Sequence, residues 1–146
     1  MALSSNALCA KAKAMYGYRI GEEGYSDLCR KQSLSEMVTY LKSQTKYSGV
    51  LEDINVRNVH RRQVEAALNK EYFERCARLM KYAPKKNQDF YSQEVIGIEV
   101  QLIVDKVVSI KEKDQASFSL EIPDYLASKM SFNIYGLINV DNYKDL

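Results

Sequence analysis

With 146 residues, 46% of them hydrophobic and 27% charged, the chain can bury one core and gives no compositional reason to expect two. A net charge of +2 is too mild for a nucleic-acid-binding face, which needs a concentrated excess of Lys and Arg. The longest apolar concentration, 95–110, is interrupted by Glu99, Gln101, Asp105 and Lys106, so it falls short of the roughly 20 apolar residues that a membrane span needs.

In chain order, Ser4 or Ser5 is placed to cap a first helix of about four turns. Its apolar positions are Leu8, Ala12, Met15 and Tyr16, and Gly21 ends it. The first twenty residues carry Lys11, Lys13 and Arg19 with no acid before Glu22, but Ser and Arg are too sparse for a transit peptide. Glu22 and Glu23 suit the positive end of a short second helix carrying Tyr25, Leu28 and Cys29. Ser33-Leu34-Ser35-Glu36 reads as a capping box, in which the Ser33 hydroxyl accepts from the backbone N–H three residues on while Glu36 reaches back. A third helix with Leu34, Met37, Val38 and Leu41 follows to about Ser43. Three short helices in succession imply tight antiparallel packing.

After the polar stretch 55–58, Val64, Ala67, Leu68, Tyr72, Cys76, Leu79 and Met80 draw one face of a fourth helix of about six turns, ended near Pro84. The segment 89–113 fits two templates. Ile96, Ile98, Val100, Leu102 and Val104 alternate as in a strand, whereas Ile96, Val100, Ile103, Val104, Val107 and Ile110 keep a 3.6 period. Helix is the better reading, because the stretch is longer than an ordinary strand and has no second strand to pair with. A loop is expected over 116–122, a helix from Pro123 through Lys129, and a further one capped by Ser131. The expected class is therefore all-α, of packed short and long helices.

One pattern occurs twice. At a constant offset Tyr25, Leu28, Leu34 and Met37 pair with Ile134, Leu137, Tyr143 and Leu146, and the capping positions Ser33 and Glu36 pair with Asn142 and Asp145. Such self-similarity is a sign of an internal helical repeat, in which one unit needs a neighbour to cover its apolar face. The second copy ends with the chain, so apolar faces left uncovered are expected to drive self-association of the fragment.

Chemistry-bearing residues are few. His60 is the single histidine, with no cysteine or carboxylate spaced to join it as a metal ligand or nucleophile. The six glycines form no phosphate-binding pattern. The three cysteines, Cys9, Cys29 and Cys76, are widely separated among apolar residues, as buried thiols in a reducing compartment would be. No catalytic residue, metal, cofactor or nucleotide is expected. The densest positive cluster is Arg57, His60, Arg61 and Arg62, in which helical spacing would set Arg57 beside Arg61. It is a candidate contact for an acidic protein partner. Eleven tyrosines suit the edge of a core, where an apolar body and a polar tip can both be satisfied.

The stretch 6–51 runs Asn6-Ala7, Ala10-Lys11-Ala12-Lys13-Ala14, Arg19-Ile20, Glu22-Glu23, Tyr25, Leu28, Ser33-Leu34-Ser35-Glu36, Tyr40-Leu41-Lys42 and Thr45-Lys46-Tyr47. It resembles the start of the C subunit of bacterial and archaeal A/V-type ATPases, whose family includes the d subunit of eukaryotic V-ATPases. Leu120-Glu121-Ile122-Pro123, Ser131-Phe132 and Tyr143-Lys144-Asp145-Leu146 are similar to that family's second unit. Lys11 and Lys13 stand where arginine is commoner, and Lys46 where proline is usual. The resemblance implies an N-terminal portion, 1–146, of a funnel-shaped subunit of three helical units, with a first unit over about 1–114 and the start of a second over about 115–146. It further implies a non-catalytic subunit at the cytoplasmic face of the membrane, linking central-stalk subunits to the membrane rotor ring and transmitting torque for ion transport. A stand-alone helical adaptor for an acidic protein partner is the alternative.

Overall fold

The computed structural model describes residues 2–84, 87–113, 118 and 120–145, with the backbone alone at 2–5 and 88. No strand occurs among the described residues, and the fold is all-α. The chain divides into two compact units, Met1–Tyr72 and Phe73–Leu146. The sequence boundary expected near 114 lies outside the described residues.

In the first unit, α1 spans Ala2–Tyr16, α2 Glu22–Cys29 and α3 Leu34–Gln44. Helix α1 starts before Ser4 and Ser5, so neither residue is its cap, and it ends at Tyr16 rather than Gly21. Gly21 instead takes the N-cap position of α2, in extended conformation. The expected stripe of α1 is not a core face: Leu8 and Met15 are half-buried, and Ala12 and Tyr16 are exposed. Helix α3 begins as expected, with Ser33 Oγ accepting from Glu36 N at 3.2 Å. Glu36 reaches back one residue further than the usual box, its Oε2 accepting from Gln32 N at 3.1 Å. A core of four buried residues forms around this helix: Val38, Leu41, Leu51 and Val64, with Leu28, Leu34, Ile54, Val59 and Leu68 packed against it. Val38 and Leu51 are fully buried, which stabilises each by roughly 2 kcal/mol relative to exposure.

Helix α4, Arg61–Lys81, contributes residues to both units. Its Val64, Ala67 and Leu68 belong to the first core, and its Phe73, Cys76, Ala77 and Met80 to the second. The single face expected from the sequence is thus two patches. Phe73 and Ala77 fill positions that the expected stripe passes over, and Tyr72 is exposed.

The second unit is organised on α5, Gln88–Glu112. The segment is a helix, as expected, but a different stripe faces inward. Val95, Ile98 and Leu102 are the buried apolar positions, whereas Ile96, Val100 and Val104 are exposed. A helix apolar on two faces satisfies several periodic templates at once, so periodicity alone does not choose the inward one. The core also contains Ile122, Leu126, Ile134 and Leu137. These come from the segment around α6, Asp124–Ala127, and a 3-10 helix at Ile134–Asn139. Helix α6 is shorter than expected, and Pro123 takes its N-cap position.

Ser131 caps nothing. Its backbone N–H and its hydroxyl both donate to the carboxylate of Glu99, which is 5% exposed. Asn133 caps the 3-10 helix instead, Oδ1 accepting from Tyr135 N at 3.2 Å. Two turns along α5, Lys106 is 2% exposed, its Nζ donating to the Ile138 carbonyl at 3.4 Å and lying 4.9 Å from the centre of the Phe118 ring.

The two sequence copies do not share local structure. Tyr25 is exposed on an α-helix, while its counterpart Ile134 is buried at the start of a 3-10 helix. Ser33 caps α3, but Asn142 makes a shorter turn, Oδ1 accepting from Lys144 N at 2.9 Å and Nδ2 donating to Asp145. Leu146 lies outside the described residues.

Candidate functional site

The basic cluster sits where a loop feeds α4. Leu51, Ile54, Val56 and Val59 turn into the first core, which fixes one side of the 50–59 segment and leaves its polar backbone to be satisfied from α3. Lys42 Nζ donates to the Glu52 carbonyl at 3.1 Å and to the Ile54 carbonyl at 2.9 Å. Ser35 Oγ donates to the Val56 carbonyl at 2.8 Å. Asn55 Oδ1 accepts from Arg57 N at 3.0 Å and caps a 3-10 turn at Val56–Asn58. The loop carrying Arg57 is therefore held by apolar burial and by side-chain donors to buried-side carbonyls, the arrangement that lets an irregular segment present a fixed surface.

Arg57, His60, Arg61 and Arg62 are all exposed. His60 occupies the start of α4: its carbonyl accepts from Gln63 N at 3.0 Å, and its N–H donates to Gln63 Oε1 at 3.0 Å. That is half of a capping box. Arg57 and Arg61 do not share a helix, because Val59 and His60 separate the 3-10 turn from α4. The pairing expected from helical spacing is corrected accordingly. Arg61 Nε pairs with Glu65 Oε1 at 2.7 Å one turn along α4, an exposed pair of small energetic value.

A concavity of about 390 Å³ opens in the first unit between the 17–24 segment and the end of α3, lined by Tyr18, Arg19, Asp27, Tyr40 and Lys46. Its cations lie on rings: Lys46 Nζ is 4.2 Å from the centre of Tyr18. Arg19 and Lys31 make comparable contacts with Tyr16 and Tyr40, at 4.0 and 5.0 Å. Tyrosine in this chain is chiefly a surface residue, seven of the eleven being exposed. The core-edge expectation holds for Tyr40, Tyr47, Tyr91 and Tyr125, which are half-buried.

The thiols also depart from expectation. Cys9 and Cys29 are exposed and Cys76 is half-buried, so burial provides no argument for a reducing compartment. Among the described residues, no group of three or more His, Cys, Asp or Glu could hold a metal ion. No helix among them is long and apolar enough to cross a membrane.

A family model described as ATP synthase (C/AC39) subunit matches residues 8–146. No curated protein and no solved structure matches.

Proposed function

We infer the role of this chain from the family to which it belongs, the ATP synthase (C/AC39) subunit family. That family is one of V/A-type ATPase subunits, and the match over residues 8–146 is the observation that carries the reading. The proposed role is that of a non-catalytic coupling subunit, seated peripherally at the cytoplasmic face of the membrane, which links the central stalk to the rotor ring and passes torque between them. Packed helices suit this work because close-packed interiors resist deformation and transmit strain. Arg57, His60, Arg61 and Arg62 are the proposed contact for an acidic surface of a neighbouring subunit, since exposed arginines on an anchored loop and the first turn of α4 guide and orient a complementary partner.

Affinity purification of the natural full-length protein from its own cells tests the assignment. Stalk and ring subunits are expected to co-purify, and the charge reversals Arg57→Glu, Arg61→Glu and Arg62→Glu together are expected to weaken that recovery. Absence of both stalk and ring subunits from the wild-type preparation overturns the coupling role. An acidic protein recovered without them supports the second reading, a stand-alone helical adaptor, which the exposed basic cluster favours.

A further inference from the structure

The 131–138 segment of the second unit is pinned along its length. Ser131 is held on Glu99, Asn133 caps the 3-10 helix, and Lys106 Nζ donates to the Ile138 carbonyl. In a 3-10 helix residues three apart eclipse one another. Burial of Ile134 and Leu137 on one edge therefore turns Tyr135 and Ile138 together onto another, where both are exposed. Because the backbone under that edge is already fixed, a ligand settling on it loses little free energy to ordering it.

Beside Tyr135 lies a concavity of about 290 Å³, lined also by Asp124, Ala127, Ser128, Asn133 and Ile134. Sites for whole small molecules run from roughly 300 to 1,000 Å³, so this one suits a single inserted side chain. Its polar lining is matched to a donor. Asp124 brings a carboxylate, and the Ser128 hydroxyl commits its proton to the Tyr125 carbonyl at 2.8 Å, which leaves its oxygen to accept. No lysine or arginine lines the concavity. A guanidinium meets these groups best, since its paired N–H groups match a carboxylate and its flat face stacks on a tyrosine ring. The surrounding charge has the complementary sign: over 120–145, Glu121, Asp124, Asp141 and Asp145 outnumber Lys129 and Lys144.

We propose that the Asp124 pocket and the Tyr135–Ile138 edge are a docking site for a basic helical segment of a partner protein, with an arginine in the pocket and a large apolar residue on Ile138. Ile138 lies one 3-10 turn, about 6 Å, beyond Tyr135. Residues three or four apart on an α-helix rise by about 4.5 to 6 Å, so one face of the incoming helix carries both anchors. The site lies on the other unit from the basic cluster and is opposite to it in sign. The inference goes beyond the ATPase assignment and does not depend on it.

The probe is an alanine-based helical peptide with one arginine and, four residues later, one leucine, titrated into the isotope-labelled full chain and followed by amide chemical shifts. Saturable shifts centred on 124–138 are expected. No shift, or shifts centred elsewhere, overturns the proposal, and so do shifts of these amides on concentrating the chain alone, which would mean that a second copy occupies the edge. Citrulline in place of the peptide arginine keeps its shape without its charge and is expected to weaken binding about tenfold. Equal binding by that peptide leaves an apolar edge only and overturns the pocket, whatever any variant of the chain does. Asp124→Asn, with helix content checked by circular dichroism, should reproduce the tenfold loss, and an unchanged affinity also overturns the proposal. Ile138→Ser should weaken the leucine peptide about fivefold and leave a peptide with alanine at that position unaffected. A loss that does not depend on the leucine excludes the second anchor.

Discussion

The two units differ in what holds them. The first has a thin core of four buried residues, and its long loop is tied down by hydrogen bonds from Lys42 and Ser35 to backbone carbonyls. The second buries nine apolar residues in one cluster and sets polar groups within that environment, with Glu99 receiving both donors of Ser131. A thin core can be defined by donors at its margin, because an irregular segment left with unpaired carbonyls would not stay in place. A deep core defines its segments by burial, and its few polar contacts then select one register, since a mismatched buried carboxylate is costly.

The comparison is tested most strongly by truncating the deepest side chain of each unit. Leu126 and Val38 are both fully buried. Leu126→Ala removes more atoms, from the larger cluster, and is expected to cost about 3 to 4 kcal/mol, against about 2 kcal/mol for Val38→Ala. Urea denaturation followed by far-ultraviolet dichroism gives both values. Equal losses would show the first core to be as tightly enclosed as the second. A smaller effect isolates the marginal donors. Lys42→Met keeps the aliphatic stem but leaves the Glu52 and Ile54 carbonyls without their donor, and should cost about 1 kcal/mol. Hydrogen exchange should quicken over 50–59, while amides in 95–109 remain unchanged.

The smallest expected effect addresses the two sequence copies. Ser33→Ala removes a cap from an eleven-residue helix and should lower stability by about 1 kcal/mol. Asn142→Ala loosens only a turn and should cost less than half as much. Equal costs would mean that the copies share a role which their hydrogen bonds do not display.

What is legible in the sequence follows from the same contrast. Helix α3 and its cap can be read because Ser33, Glu36 and the apolar run act locally, within one turn. The all-α class and the length of α5 are legible because strand pairing has no second partner. The inward face of α5 is not, since both of its faces are apolar and the residues that cover one of them come from α4, α6 and the 3-10 helix, outside any local window. Ser131 escapes for a related reason: its partner Glu99 lies 32 residues away on α5, and a capping rule sees only neighbours. At the candidate site, the clustering of Arg57, His60, Arg61 and Arg62 is visible, but their geometry is not. The break at Val59-His60 depends on the 3-10 turn capped by Asn55, and a short Asn-headed turn has no periodicity to detect.

Lys106 has a practical consequence. Its amine lies against the Ile138 carbonyl and the Phe118 ring with only 2% exposure, so an acylating reagent that modifies surface amines can reach it only when Phe118 or the 134–139 segment moves off α5. Mass-spectrometric labelling at this one position would therefore count opening events of the second unit in the native protein, a native-state clock that needs no denaturant and no introduced probe.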